Sequence, residues 1–304
     1  MAGRDTIKNI VEISAEVWYT DGGKLGDTPV TERKFLPVKS DIIFRLFYAD
    51  ERNEEFLVSL LKSILRLPED EYQRIEIADP HLLREFDGDK LGIIDVKLYT
   101  KTRKVIHIEI QLKVTEELKN RIIFYTSKLI TEQIGSGDDY DAIQRVITIV
   151  ITDEELIKGS PRYHHRFPFY DPDAGVEFSN LVEIHTLELG KLPKGADGTV
   201  LYDWASFIDA ETEEEMEIVA ERNPEVKKAV IKYRELTAEE RTRDLYERRE
   251  KARRDQVMHQ KHARQQGVQE GKAEVARNLL GMNLPLDQIV AGTGLTREEV
   301  ENLK

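Results

Sequence analysis

Acidic and amide side chains share one face of two predicted strands near the middle of the chain. The stretch IIDVKLYTKTRKVIHIEIQ, residues 93–111, alternates apolar and polar residues as a half-buried hairpin does. Because side chains two residues apart point to the same face, Asp95 and Lys97 project together, and so do Glu109 and Gln111. Two carboxylates and an amide directed to one place could hold a divalent cation, because magnesium prefers oxygen ligands.

The register of this hairpin decides whether the two carboxylates meet. If the turn pairs Thr100 with Lys104, residue 95 lies opposite residue 109, and their Cβ atoms are about 4.5 to 5.5 Å apart. Like charges at directly opposite positions destabilise a ladder by up to about 1 kcal/mol, so a compensating cation is expected. A divalent cation there would polarise a phosphodiester and activate water.

A second interpretation of the same residues needs no metal. Polar side chains on a solvent-facing sheet surface are ordinary, so Asp95 and Glu109 could simply be hydrated. Lys97 or Lys113 could pair with them. Spacing alone leaves both interpretations open.

Hydrophobic periodicity predicts the elements around the hairpin. Helical spacing indicates a helix from Asp41 and helices over residues 53–67 and 115–134, while alternation indicates a strand over residues 72–78. The apolar run VITIVI, residues 146–151, predicts a buried strand that a helical crossover would place parallel to a hairpin strand. The buried stripe predicted for the third helix consists of Leu118, Ile122, Ile123, Leu129 and Ile130.

The pattern is weaker after residue 153. The stretch YHHRFPFYDPDAG, residues 163–175, is typical of an aromatic loop, and LVEIHTLEL, residues 181–189, predicts one more strand at the sheet edge. His164 and His165 are adjacent and would point to opposite faces of a strand, which argues against a shared metal site.

A polar helical tail follows the predicted sheet. From about residue 225 to 281 the apolar stripe is sparse, so this helix is expected to coil with a partner chain or to pack back on the domain. Residues 241–264 hold nine Lys or Arg and four Asp or Glu, which is more typical of a solvated helix face than of a phosphate-binding surface. Two short helices then join at Thr293-Gly294, with a capping box at Thr296 and Glu299. The acidic second helix favours oligomer contacts over DNA reading.

Composition limits the class of protein. With 40% hydrophobic and 34% charged residues, the 304-residue chain can bury a core, and its net charge of −13 argues against wholesale nucleic-acid coating. We find no secretion signal and no apolar run of the about 20 residues that a membrane span needs. The lack of cysteine fits the cytoplasm. We expect four segments: a variable lead-in (1–34), a globular domain (35–210), a charged helical segment (211–281) and a small helix-turn-helix-like piece (282–304).

The order of these features resembles a known family. A strand ending in Asp, a turn, a strand carrying Glu-X-Gln and a helix with Arg121 and Tyr125 resemble the PD-(D/E)XK nuclease family of transposases, also called recombination-promoting nucleases. Residues 41–47 resemble the family's opening helix, and Gln133 through Tyr140 resemble its Gln-rich helix end. The tail AEVARNLLGMNLPLDQIVAGTGLTREEV is similar too. The resemblance covers about residues 35–152 and 267–304.

The resemblance implies a fold, a chemistry and roles for particular residues. It implies an α/β, restriction-endonuclease-like mixed sheet flanked by helices, with a long helical C-terminal tail, and Mg²⁺-dependent cleavage of DNA, with Mn²⁺ or Ca²⁺ as alternatives. Asp95 and Glu109 would ligate the metal, and the backbone carbonyl of Ile110 could add a third oxygen. Gln111 stands where the superfamily's name has lysine. An amide lacks the positive charge of lysine, and Lys97 is the nearest substitute by strand parity.

Three further residues have two interpretations each. Asp41 could approach the metal from the first helix, but its place before an apolar run is more typical of a helix cap. Arg121 and Tyr125 lie four residues apart on one helical face, which suits either a phosphate contact or packing against the sheet.

The expected function is metal-dependent DNA endonuclease activity linked to recombination or mobile elements, in a homo-oligomer assembled through C-terminal helices. The missing lysine and the acidic net charge leave an alternative, in which a catalytically inactive nuclease fold serves as a DNA-binding or assembly module.

Overall fold

A six-stranded mixed sheet with helices on both faces forms the centre of the described part of the chain. The structure is a computed structural model and describes residues 34–78 and 96–303. The elements in chain order are α1 (Asp41–Tyr48), α2 (Glu54–Ile64), β1 (Glu76–Ile77), β2 (Val96–Tyr99), β3 (Val105–Ile110), α3 (Leu118–Thr131), β4 (Val146–Thr152), β5 (His164–Asp171), β6 (Val176–Glu188), α4 (Val200–Asp209), α5 (Glu213–Arg222), α6 (Pro224–Ala238), α7 (Glu240–Gly281), α8 (Leu286–Thr293) and α9 (Arg297–Glu301).

The strand order in the sheet is β1-β2-β3-β4-β6-β5. The first three strands form the predicted antiparallel meander, and α3 carries the chain across so that β4 runs parallel to β3, as predicted. β4 also runs parallel to β6, and β5 closes the other edge antiparallel to β6. β3 and β4 are rich in Val, Ile and Thr and are buried along their whole length, as central strands covered on both faces are. The predicted α/β class with a mixed sheet is confirmed.

Two predictions about the second half of the sheet are wrong. The strand expected at the sheet edge, β6, lies between β4 and β5 and pairs with both. The aromatic stretch expected to be a loop contains the true edge strand, β5. Pro168 in that strand suppressed a strand prediction, yet an edge strand tolerates proline because one side of it has no ladder partner. The strand predicted over residues 72–78 is limited to Glu76–Ile77, because a 3-10 turn occupies Glu69–Gln73.

The two faces of the sheet have different coverings. The larger core lies on the face of Ile106, Ile108 and Ile110 and includes residues of α1, α2, α4, α5 and α6. On the other face α3 packs against the sheet through Leu118, Ile122 and Leu129, which contact β3 and β4. Ile123 was predicted in the buried stripe of this helix but is 56% exposed, because the narrow stripe runs through Ile122 and leaves its neighbour on the solvent side.

The larger core continues past residue 210. Met216 and Ala220 of α5 and Val226 and Tyr233 of α6 are buried in it. The Tyr233 hydroxyl donates a hydrogen bond to the backbone carbonyl of Leu36 at 2.6 Å, which joins α6 to the segment before α1. This part of the polar tail therefore packs back on the domain, and the division of the chain into four segments stays a prediction.

The last three helices form a small core of their own. Ala276 of α7 packs with Ile289 of α8, with Leu295 just before α9 and with Val300 in α9. α8 ends at Gly294 in the left-handed region, which glycine adopts without strain. The predicted capping box of Thr296 and Glu299 is present. Within the described residues, no helix has both the length and the apolar character that a membrane span requires.

Candidate functional site

The β2–β3 hairpin has the register that the sequence argument required. The backbone N–H of Thr100 donates to the carbonyl of Lys104 at 3.0 Å, and Val96 and Lys97 lie opposite Ile108 and His107. The described pairing reaches Val96 at the start of β2. Asp95, the first proposed metal ligand, lies outside the described residues.

Glu109 lies in a layer between the sheet and α3. It is the fifth residue of β3, pairs in register with Val150 of β4, and is 7% exposed. The hydrated interpretation therefore does not describe Glu109, because α3 covers its face of the sheet. The same layer contains the hydroxyl groups of Thr126 and Thr148, whose oxygens are 2.8 Å apart.

Arg121 of α3 joins the two polar side chains at the end of β3. Its Nη2 lies 2.6 Å from Oε1 of Glu109 and also donates to Oε1 of Gln111. A carboxylate oxygen and an amide oxygen from one strand thus converge on a single cationic nitrogen. The sequence placed Glu109 and Gln111 on one face, and the structure adds that Arg121 is the cation they contact.

The charge of Glu109 is only partly compensated. Burial raises the pKa of the Glu109 carboxyl group, and the charge and hydrogen bond of Arg121 oppose that shift without cancelling it. Within residues 34–78 and 96–303, Arg121 is the one ion-pair partner of Glu109. Its own side chain is 35% exposed, so water screens part of its charge.

Lys97 lies on the neighbouring strand with its ammonium group near other partners. Its Nζ is 3.9 Å from Oε2 of Glu132, just past α3, and 5.6 Å from the ring centroid of Tyr99. The Lys97 side chain is 12% exposed, so most of it is shielded from solvent.

His107 is a residue of this layer that sequence reasoning missed. It lies opposite Lys97, it is fully buried, and neither ring nitrogen has a hydrogen-bond partner among the described residues. Burial, and secondly the charge of Lys97, lower the pKa of His107 to about 3, so the ring is neutral. The signal was available, because an imidazole stood on the predicted polar face between Val105 and Glu109.

Asp41 contacts the long C-terminal helix. Ser40 occupies the N-cap position of α1, and Asp41 is the first helical residue. The Asp41 carboxylate accepts from the backbone N–H of Ile42 at 2.9 Å and from Nε of Arg249 in α7 at 2.6 Å. Its described partners thus link α1 to α7, and an accessory metal role stays a prediction.

Tyr125 lies four residues after Arg121 on α3. It is half-buried, and its ring packs edge-on against the exposed Phe124, with 5.5 Å between ring centroids. Phosphate contact and packing both remain interpretations of Tyr125. His164 and His165 have separate partners on β6, His185 and Glu188, which agrees with the prediction that they do not form one site.

The fit of a metal ion can be judged from the oxygen atoms. The side-chain oxygens of Glu109 and Gln111 converge on one cation, Arg121, which is the arrangement that a hard cation would also favour. In the part of the chain that the structure describes, no group of three or more His, Cys, Asp or Glu residues could hold a metal ion. A complete ligand set would therefore need residues outside the described part of the chain, where the predicted ligand Asp95 lies.

The mixed sheet, the helical crossover between β3 and β4, and the buried acid near the end of β3 define a nuclease-like α/β fold. A family model described as PD-(D/E)XK nuclease family transposase matches residues 38–263, about three quarters of the chain, and the chain belongs to that family. The match includes residues 153–263, where sequence resemblance gave little support, and it ends before the similar tail. No curated protein and no solved structure matches the chain.

Proposed function

We propose that this protein is a metal-dependent DNA endonuclease that hydrolyses phosphodiester bonds, with a role in recombination or in mobile elements. The family supports a nuclease linked to mobile elements. The observation that carries the finer proposal is the buried Glu109, whose charge Arg121 balances only in part. A buried carboxylate whose charge is not fully compensated by its ion-pair partner is suited to binding a second cation.

The proposed metal ligands are the carboxylates of Asp95 and Glu109 and the backbone carbonyl of Ile110, with Mg²⁺ as the ion and Mn²⁺ or Ca²⁺ as alternatives. Continuing the β2–β3 register by one pair would bring residue 95 opposite Glu109, which supports this assignment. When bound, the ion would supply polarisation of the phosphodiester and activation of water.

Arg121 acts in this proposal as an internal counter-ion. It stabilises the buried carboxylate of Glu109 while no metal is bound, and its half-exposed side chain can turn outward toward a DNA phosphate. Gln111 anchors the guanidinium beside the acid, and Tyr125 follows one turn later on the same helical face. Arg121 and Lys97 would supply the positive charge that an amide at position 111 lacks.

The second candidate function is a nuclease fold without catalysis that binds DNA or assembles oligomers. It is favoured by the same contact, since an Arg121 that never leaves Glu109 would keep a metal ion out. The two candidates differ in whether cleavage occurs, while both predict DNA as a partner. Oligomerisation through the C-terminal helices and a cytoplasmic location stay predictions.

The test is cleavage of supercoiled plasmid by the purified full chain in Mg²⁺, Mn²⁺, Ca²⁺ or EDTA, beside Asp95→Asn and the matched control Asp173→Asn at the exposed β5–β6 turn. We expect metal-dependent nicking by the intact protein and by the control, and its loss in Asp95→Asn. Equal nicking by all three would show contamination or a misplaced site. A DNA mobility shift without any cleavage would support the binding module.

A further inference from the structure

The middle of α7 is a concentration of positive charge on an acidic protein. Residues 248–264 contain seven Lys or Arg and two Asp or Glu, in a chain whose net charge is −13. Every residue from 251 to 270 is exposed, so this stretch of helix packs on nothing in the described chain. At 1.5 Å per residue, the exposed stretch is about 30 Å long.

Four cations of this stretch have no carboxylate partner among the described residues. Arg248, Arg249 and Arg253 pair with Asp244, Asp41 and Glu250, respectively. The unpaired set, called here the basic arm, is Lys251, Arg254, Lys261 and Arg264.

The basic arm lies along one side of the helix. At 100° per residue its four side chains fall within an arc of about 140°, and the distance from the first to the last is about 20 Å. Gln265 and Gln269 fall within the same arc and can donate to phosphate oxygens. A row of cations with hydrogen-bond donors on the same side of the helix is complementary to a nucleic-acid backbone.

The pattern is a poor match to a second copy of the helix. A coiled coil needs apolar residues about every 3.5 residues, whereas the exposed apolar positions here are Val257 and Met258, followed by Val268 ten residues later. Four unpaired cations on one side would also repel the same side of a parallel copy. Charge therefore favours a polyanion as the occupant.

We propose that the basic arm binds the phosphate backbone of DNA without reading its sequence. The choice of DNA rests on the proposed function, whereas the binding itself requires no cleavage. The arm would hold duplex DNA on the protein, which counters the repulsion from the acidic remainder of the chain. Under this proposal, part of residues 241–264 is a phosphate-binding surface, whereas the sequence pattern alone favours a solvated helix face.

The experiment measures DNA binding by the full chain in EDTA, where cleavage is absent, using fluorescence anisotropy with a labelled 30-base-pair duplex over a range of salt concentrations. One variant carries Lys251→Gln, Arg254→Gln, Lys261→Gln and Arg264→Gln. The matched control makes the same charge change at exposed lysines elsewhere, Lys158→Gln, Lys194→Gln, Lys227→Gln and Lys228→Gln. Circular dichroism checks that both variants keep the helix content of the unmodified chain.

We expect the arm variant to bind at least about tenfold more weakly and to lose about 3 to 4 units from the slope of log K against log salt, because each phosphate contact contributes about 0.9. The control should bind within about threefold of the unmodified chain. Equal weakening in both variants, or unchanged binding in the arm variant, would overturn the proposal. Unchanged DNA binding with loss of an oligomer in sedimentation would assign the arm to a second copy.

The outcome is separable from that of the proposed function. If plasmid cleavage is absent but the arm variant alone loses DNA binding in EDTA, the arm proposal stands and the nuclease proposal fails. If the protein cleaves DNA and the arm variant binds and cleaves normally, the arm proposal fails and the nuclease proposal stands.

Discussion

Two buried glutamates of the same sheet, Glu109 and Glu183, have opposite electrostatic surroundings. Glu109 on β3 has Arg121 as its described ion-pair partner, and burial keeps its pKa raised. Glu183 on β6 accepts hydrogen bonds from His185 at 2.7 Å, from Arg145 at 2.9 Å and from Nε of Arg166 at 2.7 Å. Burial alone would raise the pKa of Glu183 too, but these donors outweigh it and lower the pKa to about 2.

The difference separates a structural acid from an acid that could bind something more. Glu183 has both oxygens engaged by cationic or potentially cationic groups, so it can accept little further positive charge. Glu109 is as buried but less compensated, and a divalent cation would lower the free energy of its charged form. Burial by itself therefore does not mark a candidate functional acid, whereas burial with too few partners is the sign that a binding role would leave.

The largest expected effect is on cleavage by Glu109→Gln. The amide keeps the shape of the side chain and a contact with Arg121 but removes the charge that a metal ion would need. We expect plasmid cleavage to fall at least about 100-fold, while the free energy of unfolding changes by about 1 kcal/mol or less. Urea denaturation and plasmid nicking measure the two quantities. Undiminished cleavage by a folded Glu109→Gln protein would remove Glu109 from the site.

The matched substitution at Glu183 should lower stability strongly and leave cleavage nearly unchanged, which is the reverse of Glu109→Gln. Glu183→Gln leaves Arg145 and Arg166 near the sheet without their counter-charge, which should lower the free energy of unfolding by about 3 kcal/mol. Cleavage at a temperature where the variant is folded should stay close to that of the unmodified chain. A loss below about 1 kcal/mol would mean that hydration of the half-exposed Arg166 replaces the ion pair.

The sequence predicted the strands and the helix around Glu109 better than it predicted the contacts of their side chains. Strong alternation and a short turn specified the β2–β3 hairpin and its register, because a slip by one residue would move every apolar side chain to the opposite face of the sheet. Helical spacing likewise specified α3, although it did not separate the buried Ile122 from the exposed Ile123. The site face could be predicted from parity alone.

The contacts of the site depend on packing between distant residues, and the sequence does not contain that information locally. Arg121 was a candidate phosphate ligand, and nothing in its spacing showed that it pairs with Glu109 and Gln111. The cluster around Glu183 cannot be read from local spacing, because Arg145 directly precedes β4, Arg166 lies in β5, for which the sequence predicts a loop, and Glu183 lies in β6. Asp41 illustrates the same limit, since its partner Arg249 is 208 residues away.

As the pH falls, the contributions of Glu183 and Glu109 to the free energy of unfolding should change in opposite directions. The folded-state pKa of Glu183 is about 2, below its ordinary value of 4.5, so its stabilising contribution is complete above pH 4.5 and is lost as the pH falls toward 2. The folded-state pKa of Glu109 is raised, so its contribution is complete below its ordinary value and is lost as the pH rises through the raised value.

Urea denaturation between pH 3 and pH 7 tests this difference. Relative to the unmodified chain, Glu183→Gln should show a flatter fall in unfolding free energy below pH 4.5, because it lacks the titrating group. Glu109→Gln should differ from the unmodified chain above pH 4.5 instead, because it lacks the gain in unfolding free energy that Glu109 gives as the pH falls through its raised pKa. Parallel curves for all three proteins would contradict the assigned surroundings.

The smallest expected effect concerns the competition between Arg121 and a metal ion. Arg121→Met keeps the packing of the side-chain stem on α3 and removes the cation from Glu109. If Arg121 and the metal share one carboxylate, calorimetric titration with Mn²⁺ should show binding about tenfold tighter, equivalent to about 1.4 kcal/mol. Lys119→Met, an exposed position on the same helix, is the matched control and should leave the affinity unchanged. Weaker Mn²⁺ binding in Arg121→Met would show that the guanidinium orients Glu109 for the metal and does not compete with it.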